Sequence, residues 1–392
     1  MNQAPASSSR RRVLLDARPL QSPDAQRGIG SYVRGLVAGL RDEGFDDRIA
    51  LLFDAGLPLP RVPGGRFVAF TVRRRYHGRV GLIEESVVMG DDLARIRPAL
   101  YHATTLTLPS GSPVPVLATV HDLIPWAVRS WRMLGERSRW ALAPRLLRRA
   151  DLVLTPSEAT AADARRLAGV REERIRVVAE GVAAGFRPAD GAAGRVAQRH
   201  GIRKPYLLFV GALDARKSPL ALLRGWQVAM AAGADVELVL AGPSSRQAPA
   251  DMGPARRLGY LDVPALVDLY SASACLLFPS RYEGFGLPLL EAMACGCPVV
   301  AYRNSSLPEV AGDAGLLVPD GDADALGRAA AEVVLDAELT GRLRRAGLAR
   351  AAGFSWRRAA RKTIAIYRPF LGAVPDGAAA QASGPGPDVE RG

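Results

Sequence analysis

Short apolar runs alternate with helix-like segments along nearly the whole chain, and that alternation leaves few folds open. VLLDA (13–17) has the length and apolar density of a strand buried on both faces of a parallel sheet. The segment after it, RGIGSYVRGLVAGLRDEG, spaces Ile29, Tyr32, Val33, Leu36, Val37 and Leu40 along one helical face and meets a stop signal at Gly44. IALLF, RFVAF, ALYHA, VLATVHD, LVLTPS and IRVVAEG follow as strand-like runs, several of them separated by helical segments. After residue 200 the series restarts with YLLFVG, a helix from Pro219, VELVLAG, ALVDLYSAS, CLLFPS, another helix, PVVAY and GLLVP. Two such series predict two doubly wound α/β sheets.

The 392 residues are too many for one comfortable core. The turn-rich stretch GFRPADGAAGR marks the boundary, so the units are read as 13–190 and 191–355. A run over 323–352 reads as one helix ending near Gly353, and SWRRAARKTIAIYRPF as a further helix over 356–371. Both ends, 1–12 and 372–392, read as disordered tails. MNQAPASSSRRR has no apolar segment behind its arginines, and the last residues are of low complexity.

The chain is 48% hydrophobic and 23% charged, as soluble globular proteins are. No apolar run approaches the roughly 20 residues of a membrane span. Cys275, Cys295 and Cys297 are odd in number and lack paired spacing. That argues against a disulfide scaffold or a zinc site, and for a reducing cytosol. The net charge of +13 points to anionic partners: nucleic acid, anionic lipid or the phosphates of a nucleotide sugar. The arginines are scattered and no helix-turn-helix or zinc pattern stands out, so nucleic acid is not the expected partner.

PSRYEGFGLPLLEAMACGCPVVA (279–301) carries the most chemistry. CLLFPS before it reads as a strand, SRYEGFG as the turn, and Pro288 suits the first turn of a helix. A helix N-terminus therefore points into a loop at the C-terminal edge of a parallel strand, where open α/β sheets bind ligands. Free N–H groups and the helix dipole favour an anion such as a diphosphate there, and Gly284 and Gly286 allow close backbone approach. Glu283 and Glu291 repel phosphate but suit sugar hydroxyls, since a carboxylate accepts two hydrogen bonds. Two diols flanking a diphosphate describe a nucleotide sugar. The alternative is a helix cap at Glu283 and a solvated helix residue at Glu291. FVGALDARKSP (209–219) supplies Arg216 and Lys217, the cations a diphosphate needs.

Together these segments resemble the retaining glycosyltransferases of family 4 (group 1), over about residues 13 to 370. EGFGLPLLE resembles the family's E-x7-E motif, and RGIGSYVRGL, HDLIP and TPSEAT match further family-like segments. The resemblance implies the GT-B fold: two Rossmann-like doubly wound domains facing a cleft, acceptor side first, with the helix 356–371 returning to the N-terminal domain. It implies His121, Glu283, Arg216 and Lys217 as catalytic residues. Arg216 and Lys217 would neutralise the donor diphosphate, Glu283 would contact the transferred sugar, and Glu291 would hold the ribose. Gly211, Gly284 and the amides of Phe285, Gly286 and Leu287 would face the donor, and Gly28 and Gly30, in the loop after the first strand, would close on it. His121 would face the sugar across the cleft, with Asp122 beside it on the acceptor side. His102, at a strand end in LYHATT, is read as a cleft residue as well.

Breaking a glycosyl–phosphate bond builds negative charge on the leaving diphosphate, which fixed cations and amides stabilise. A guanidinium and an ammonium can replace a metal, and no Asp-x-Asp pair is placed for one, so neither metal nor cofactor is expected. GDP-mannose is the donor expected from the resemblance to bacterial O-antigen and exopolysaccharide mannosyltransferases, and a saccharide or polyisoprenyl-linked saccharide the acceptor. A nucleotide-sugar 2-epimerase shares this architecture, but lacks the E-x7-E context.

WAVRSWRMLGERSRWALAPRLLRR (126–149) interleaves Trp126, Trp131 and Trp140 with arginines such as Arg129, Arg132, Arg139 and Arg145. It suits an anionic membrane surface, the inner face of the plasma membrane, as well as it suits a basic solvated face over core tryptophans. Ser157 and Glu158 read as a helix cap and a first-turn acid. Ser305, Ser306 and Glu309 suit either the lining of a nucleotide pocket or caps.

Overall fold

The computed structural model describes residues 11–22, 25, 28–60, 62, 67–72, 79–128, 134–243 and 252–372. The first sheet holds β1 (Val13–Asp16), β2 (Ile49–Asp54), β3 (Val68–Val72), β4 (Leu100–Ala103), β5 (Val116–Thr119), β6 (Leu152–Thr155) and β7 (Ile175–Val177). Their order is β3-β2-β1-β4-β5-β6-β7, with every pairing parallel. The second sheet holds β8 (Tyr206–Val210), β9 (Glu237–Ala241), β10 (Arg256–Gly259), β11 (Cys275–Phe278), β12 (Val299–Tyr302) and β13 (Leu316–Val318). Its order is β10-β9-β8-β11-β12-β13, again parallel throughout.

Parallel strands covered on both faces need apolar side chains in both directions, which is why VLLD, LLF and VVAY are continuous runs rather than alternations. Residues of β1, β4, β8, β11 and β12 are buried throughout. In each sheet the order reverses beside the first strand of the series, between β1 and β4 and between β8 and β11. Such switch points open a crevice at the carboxyl ends of the strands. The loops that follow β5, β8, β11 and β12 all leave from carboxyl ends.

Two chain crossings join the halves, and they lie side by side. Val182, on the way out of the first sheet, bridges to Ser355 on the way back, and its amide donates to the Phe354 carbonyl at 3.2 Å. The helix Trp356–Leu371 then packs against the helix Gly28–Asp42 of the first half. Trp356 belongs to the same core cluster as Tyr32, Val33 and Leu36. Glycine makes this approach feasible: a Cβ on Gly35 would stand 2.0 Å from the Trp356 ring, and one on Gly39 2.3 Å from its carbonyl oxygen. Glu43 accepts from Arg357 and Arg361 at 2.9 and 2.8 Å on the rim of this contact.

Several elements differ from the sequence expectation. The run over 323–352 is two helices, Ala323–Leu335 and Ala337–Ala351. The break is at Asp336, whose side chain accepts from the amides of Glu338 and Leu339. ALVDLYSAS lies on the helix Val263–Ala272, capped by Asp262. The strand before it, β10, uses RRLG, an edge sequence without an apolar run. Gly28 and Gly30 sit in the first turn of the helix Gly28–Asp42 rather than in a loop. Residues 1–10 and 373–392 of the two expected tails lie outside the described residues, as do Trp131, Arg129 and Arg132.

Candidate functional site

The loop between β11 and the helix Leu287–Ala294 is the centre of the site. Gly286 caps that helix with φ 106°, a left-handed conformation that glycine adopts without strain, and Pro288 occupies the first turn. The β12 exit loop braces the segment. Ser305 Oγ accepts from the Glu283 amide at 2.9 Å, while Ser306 Oγ lies 3.0 Å from the Glu283 carbonyl oxygen and 2.7 Å from that of Phe285. Asn304 donates to the Ser280 carbonyl at 3.0 Å. Ser305 and Ser306 thus serve the loop's backbone, a role that falls outside both sequence readings. The Phe285 side chain is core, edge-on to Phe354, so only its backbone faces the loop.

Arg216 and Lys217 lie on a single 3-10 turn, Ala215–Lys217, after β8. Asp214 caps this turn, accepting from the amides of Arg216 and Lys217 at 2.9 and 3.1 Å. The signal for that cap is an Asp two residues before the basic pair. Both cations converge on one carboxylate. Glu283 Oε1 accepts from Arg216 Nη1 at 2.9 Å, and from Lys217 Nζ and Ser280 Oγ. Burial works to lift the Glu283 carboxyl, but Lys217 and Arg216 outweigh it and hold it below the usual carboxylate range. Lys217 is itself buried, 4.5 Å above the Phe278 ring, and burial pulls its ammonium down. Gly211, at φ 145°, leaves a Cβ position 3.6 Å from Lys217 Cε.

Glu291 sits one turn further along the helix, away from the cations. Its Oε2 accepts from the Tyr270 hydroxyl at 3.1 Å. Burial raises its pKa to about 7, against the opposing Tyr270 bond. Tyr270 carried no sequence signal beyond its place on the helix Val263–Ala272.

The first half brings HDLIP to the same place. His121 Nε2 lies 3.2 Å from the Thr104 carbonyl oxygen and Nδ1 3.5 Å from Glu180 Oε1, and its ring packs edge-on against Tyr32 at 4.6 Å. Through Tyr32 the glycine-led helix Gly28–Asp42 reaches His121. Asp122 Oδ1 accepts from the Ile124 amide at 3.0 Å, and burial pushes its carboxyl up. The backbone at His121 abuts Gly284 so closely that a Cβ there would stand 1.9 Å from the His121 carbonyl oxygen. Glu180, the buried partner of His121, was not singled out in the sequence.

His102 is the correction. Its place at a strand end suggests a cleft residue, but the side chain is fully buried. Nδ1 lies 2.5 Å from the Tyr367 hydroxyl and Nε2 2.7 Å from Thr119 Oγ1. Burial drives its pKa down to about 3, so it is a neutral core residue tying the last helix to the first sheet. Among the described residues no group of three or more His, Cys, Asp or Glu is placed to hold a metal ion. No described helix is long and apolar enough to cross a membrane. In the tryptophan–arginine stretch, Trp126 packs on the core of the first half, and Arg137 donates to the carbonyls of Pro125 and Val128. Arg145, Arg148 and Arg149 are exposed.

Comparison with known proteins bears on both halves. Residues 26–185 match the family described as Glycosyltransferase Family 4, and residues 204–336 the one described as Glycosyl transferases group 1. An O-antigen chain mannosyltransferase B of Escherichia coli is 33% identical over 236 residues, covering 56% of this chain and 61% of that one. The chain thus spans less than two thirds of that relative's length. Sucrose-phosphate synthase from Thermosynechococcus elongatus superposes with a TM-score of 0.74 at 24% identity, over 92% of this chain and 99% of that one. The Anabaena protein HepE, solved in complex with UDP-glucose, gives 0.69 at 16% identity, over 92% and 100%. The two structural likenesses are likenesses of fold.

Proposed function

Because the chain belongs to the family 4 (group 1) glycosyltransferases and has the GT-B fold, we propose that it moves a hexose from a nucleotide diphosphate sugar to a saccharide or lipid-linked saccharide acceptor. The observation that carries this reading is the convergence of Arg216 and Lys217 on Glu283, at the N-terminus of the helix that also bears Glu291. Two fixed cations beside a helix N-terminus are what a departing diphosphate needs, and they supply the positive charge without a metal. A diphosphate entering there competes with Glu283 for both cations. The carboxylate so released is free to accept hydroxyls of the transferred sugar. Glu291, on the far side of the glycine turn, takes the ribose hydroxyls, and Tyr270 orients it. His121 and Asp122 face the sugar from the other half, and the anomeric configuration is retained.

The proposed donor is GDP-mannose and the proposed setting surface-polysaccharide synthesis, supported by the mannosyltransferase relative. The reaction is assigned to the cytoplasm at the inner face of the plasma membrane, a reading supported by the net charge of +13 and the exposed Arg145, Arg148 and Arg149. Flotation with phosphatidylglycerol-containing vesicles tests that assignment; protein left at the bottom of the gradient at moderate salt counts against it.

The function is tested by thermal shift against GDP-, UDP-, ADP- and dTDP-sugars, with Glu291→Ala beside the wild type. We expect a shift with one nucleotide class that Glu291→Ala weakens. A folded protein that responds to none of the four sinks the reading.

A further inference from the structure

The Glu283 loop is held by both halves of the molecule. The Glu283 amide and carbonyl and the Phe285 carbonyl are tied to Ser305 and Ser306 of the second half. The Gly284 carbonyl between them is tied to the first, and so is the Tyr282 side chain. Ser157 Oγ and Thr160 Oγ1 lie 2.7 and 3.0 Å from the Gly284 carbonyl oxygen, so two hydroxyl donors use both of its lone pairs. The Tyr282 hydroxyl donates to Asp163 Oδ2 at 2.5 Å. Ser157, Thr160 and Asp163 all belong to the start of the helix Glu158–Ala168, at its N-cap and first two turns. The junction is closed from the other direction by Glu309, whose two carboxylate oxygens accept from the amides of Glu158 and Ala159 at 2.8 Å each.

Ser157 does cap its helix, accepting from the Thr160 amide at 3.1 Å. A cap alone does not call for a hydroxyl proton, because an N-cap works as an acceptor. Here the proton is used as well, and it goes across the cleft. Nor does a helix surface need Thr160 and Asp163 turned toward a glycine loop of another domain. Tyr282 links this surface to the charged cluster directly: its carbonyl accepts from Arg216 Nη1 at 2.8 Å, the same nitrogen that donates to Glu283.

We infer that Ser157, Thr160 and Asp163 are positioning residues for the transfer reaction, which set the Glu283 loop from the opposite domain. The inference deepens the proposed function and rests on it. When the halves part, the Tyr282 hydroxyl and the Gly284 carbonyl lose their partners while Glu283 keeps its backbone anchors. The donor therefore binds elements of the second half that persist in either state, and the loop reaches its working geometry with the first half docked. Misplacement by about 1 Å at such a point costs a reaction roughly a hundredfold while leaving ground-state binding largely intact.

The test uses the full-length chain and steady-state kinetics with the donor that the thermal-shift panel identifies. Thr160→Val keeps the shape and removes one hydroxyl, and Tyr282→Phe removes the other domain's bond to Asp163. Ser157→Asp keeps a capping acceptor but presents no hydroxyl proton to Gly284. The Thr160→Val/Tyr282→Phe double variant is expected to lose kcat by about 10- to 100-fold, with donor KM within about twofold and unfolding little changed. Thr160→Ser restores the hydroxyl and is expected to keep kcat near the wild type. Wild-type kcat in the double variant and in Ser157→Asp overturns the inference. So does a loss of kcat matched by an equal loss of donor affinity, or a Thr160→Ser variant as slow as Thr160→Val. A wild type that turns over none of the four donor classes removes the proposed function itself, and this inference with it.

Discussion

The Tyr270 hydroxyl donates to Glu291 Oε2 at 3.1 Å, and this contact works against burial in setting how the carboxyl titrates. Burial lifts Glu291 from 4.5 to about 7, and the Tyr270 bond, which favours the charged form, pulls the other way. A carboxyl that keeps its proton longer in the folded protein than in the unfolded chain adds stability at acid pH. That stability fades as pH rises from about 4.5 through 7. Glu291→Gln is expected to flatten the fall in melting temperature over that window. Donor affinity should climb across the same window, because the ionised form accepts two hydroxyls, and Tyr270→Phe should move the climb to higher pH. Calorimetric titration of the donor at a series of pH values checks both.

Glu283 neutralises the buried Lys217 and the half-buried Arg216 at once, so deleting it should hurt folding more than its own contacts suggest. Glu283→Ala strips the buried Lys217 ammonium of its carboxylate partner and leaves Arg216 with only Asp214, 3.6 Å away; breaking such a buried pair costs about 3–5 kcal/mol. The double variant Glu283→Ala/Lys217→Met removes one of the stranded charges and should recover part of the loss. Urea unfolding of the two single variants and the double gives the coupling directly.

The crossing of the first and last long helices depends on two glycines. A Cβ on Gly35 would meet the Trp356 ring at 2.0 Å. Gly35→Ala is therefore expected to destabilise by about 1–3 kcal/mol through overpacking, despite alanine's better helix propensity. Gly194, in the helix Ala192–His200 with nothing within 4 Å, is the matching control. Gly194→Ala should be neutral or stabilising by up to about 1 kcal/mol. Thermal melts of the pair check the contrast.

Glu309 caps a helix that belongs to the other half of the molecule. Its removal should behave like the loss of an N-cap and cost about 1 kcal/mol. Glu309→Gln, which retains one acceptor oxygen, should lose less than Glu309→Ala. Denaturant midpoints of the two variants measure the difference.

Much of the fold was legible because buried parallel strands must be apolar on both faces, so VLLD, CLLF and VVAY stand out as unbroken runs. β10 was not legible, since RRLG at a sheet edge buries little and carries no pattern. The loop of Glu283 and the basic pair were readable from glycines, a helix-start proline and adjacent charges. The cross-domain partners were not. Ser157 and Glu309 look like ordinary caps, and nothing local tells which helix a carboxylate will cap. His102 misled for a related reason. A histidine at a strand end looks the same whether it faces a cleft or a returning helix, and here Tyr367, 265 residues along the chain, closes over it.

The paired crossings at Val182 and Ser355 make the second half an insertion, flanked by chain that belongs to the first. One tether would allow swivelling in every direction. Two tethers pinned side by side constrain the second half as a door's pivot would, and leave it fewer directions of swivel than a single tether. The setting of the Glu283 loop is thus partly inherited from chain topology, since Phe354 at the crossing packs against Phe285 of the loop.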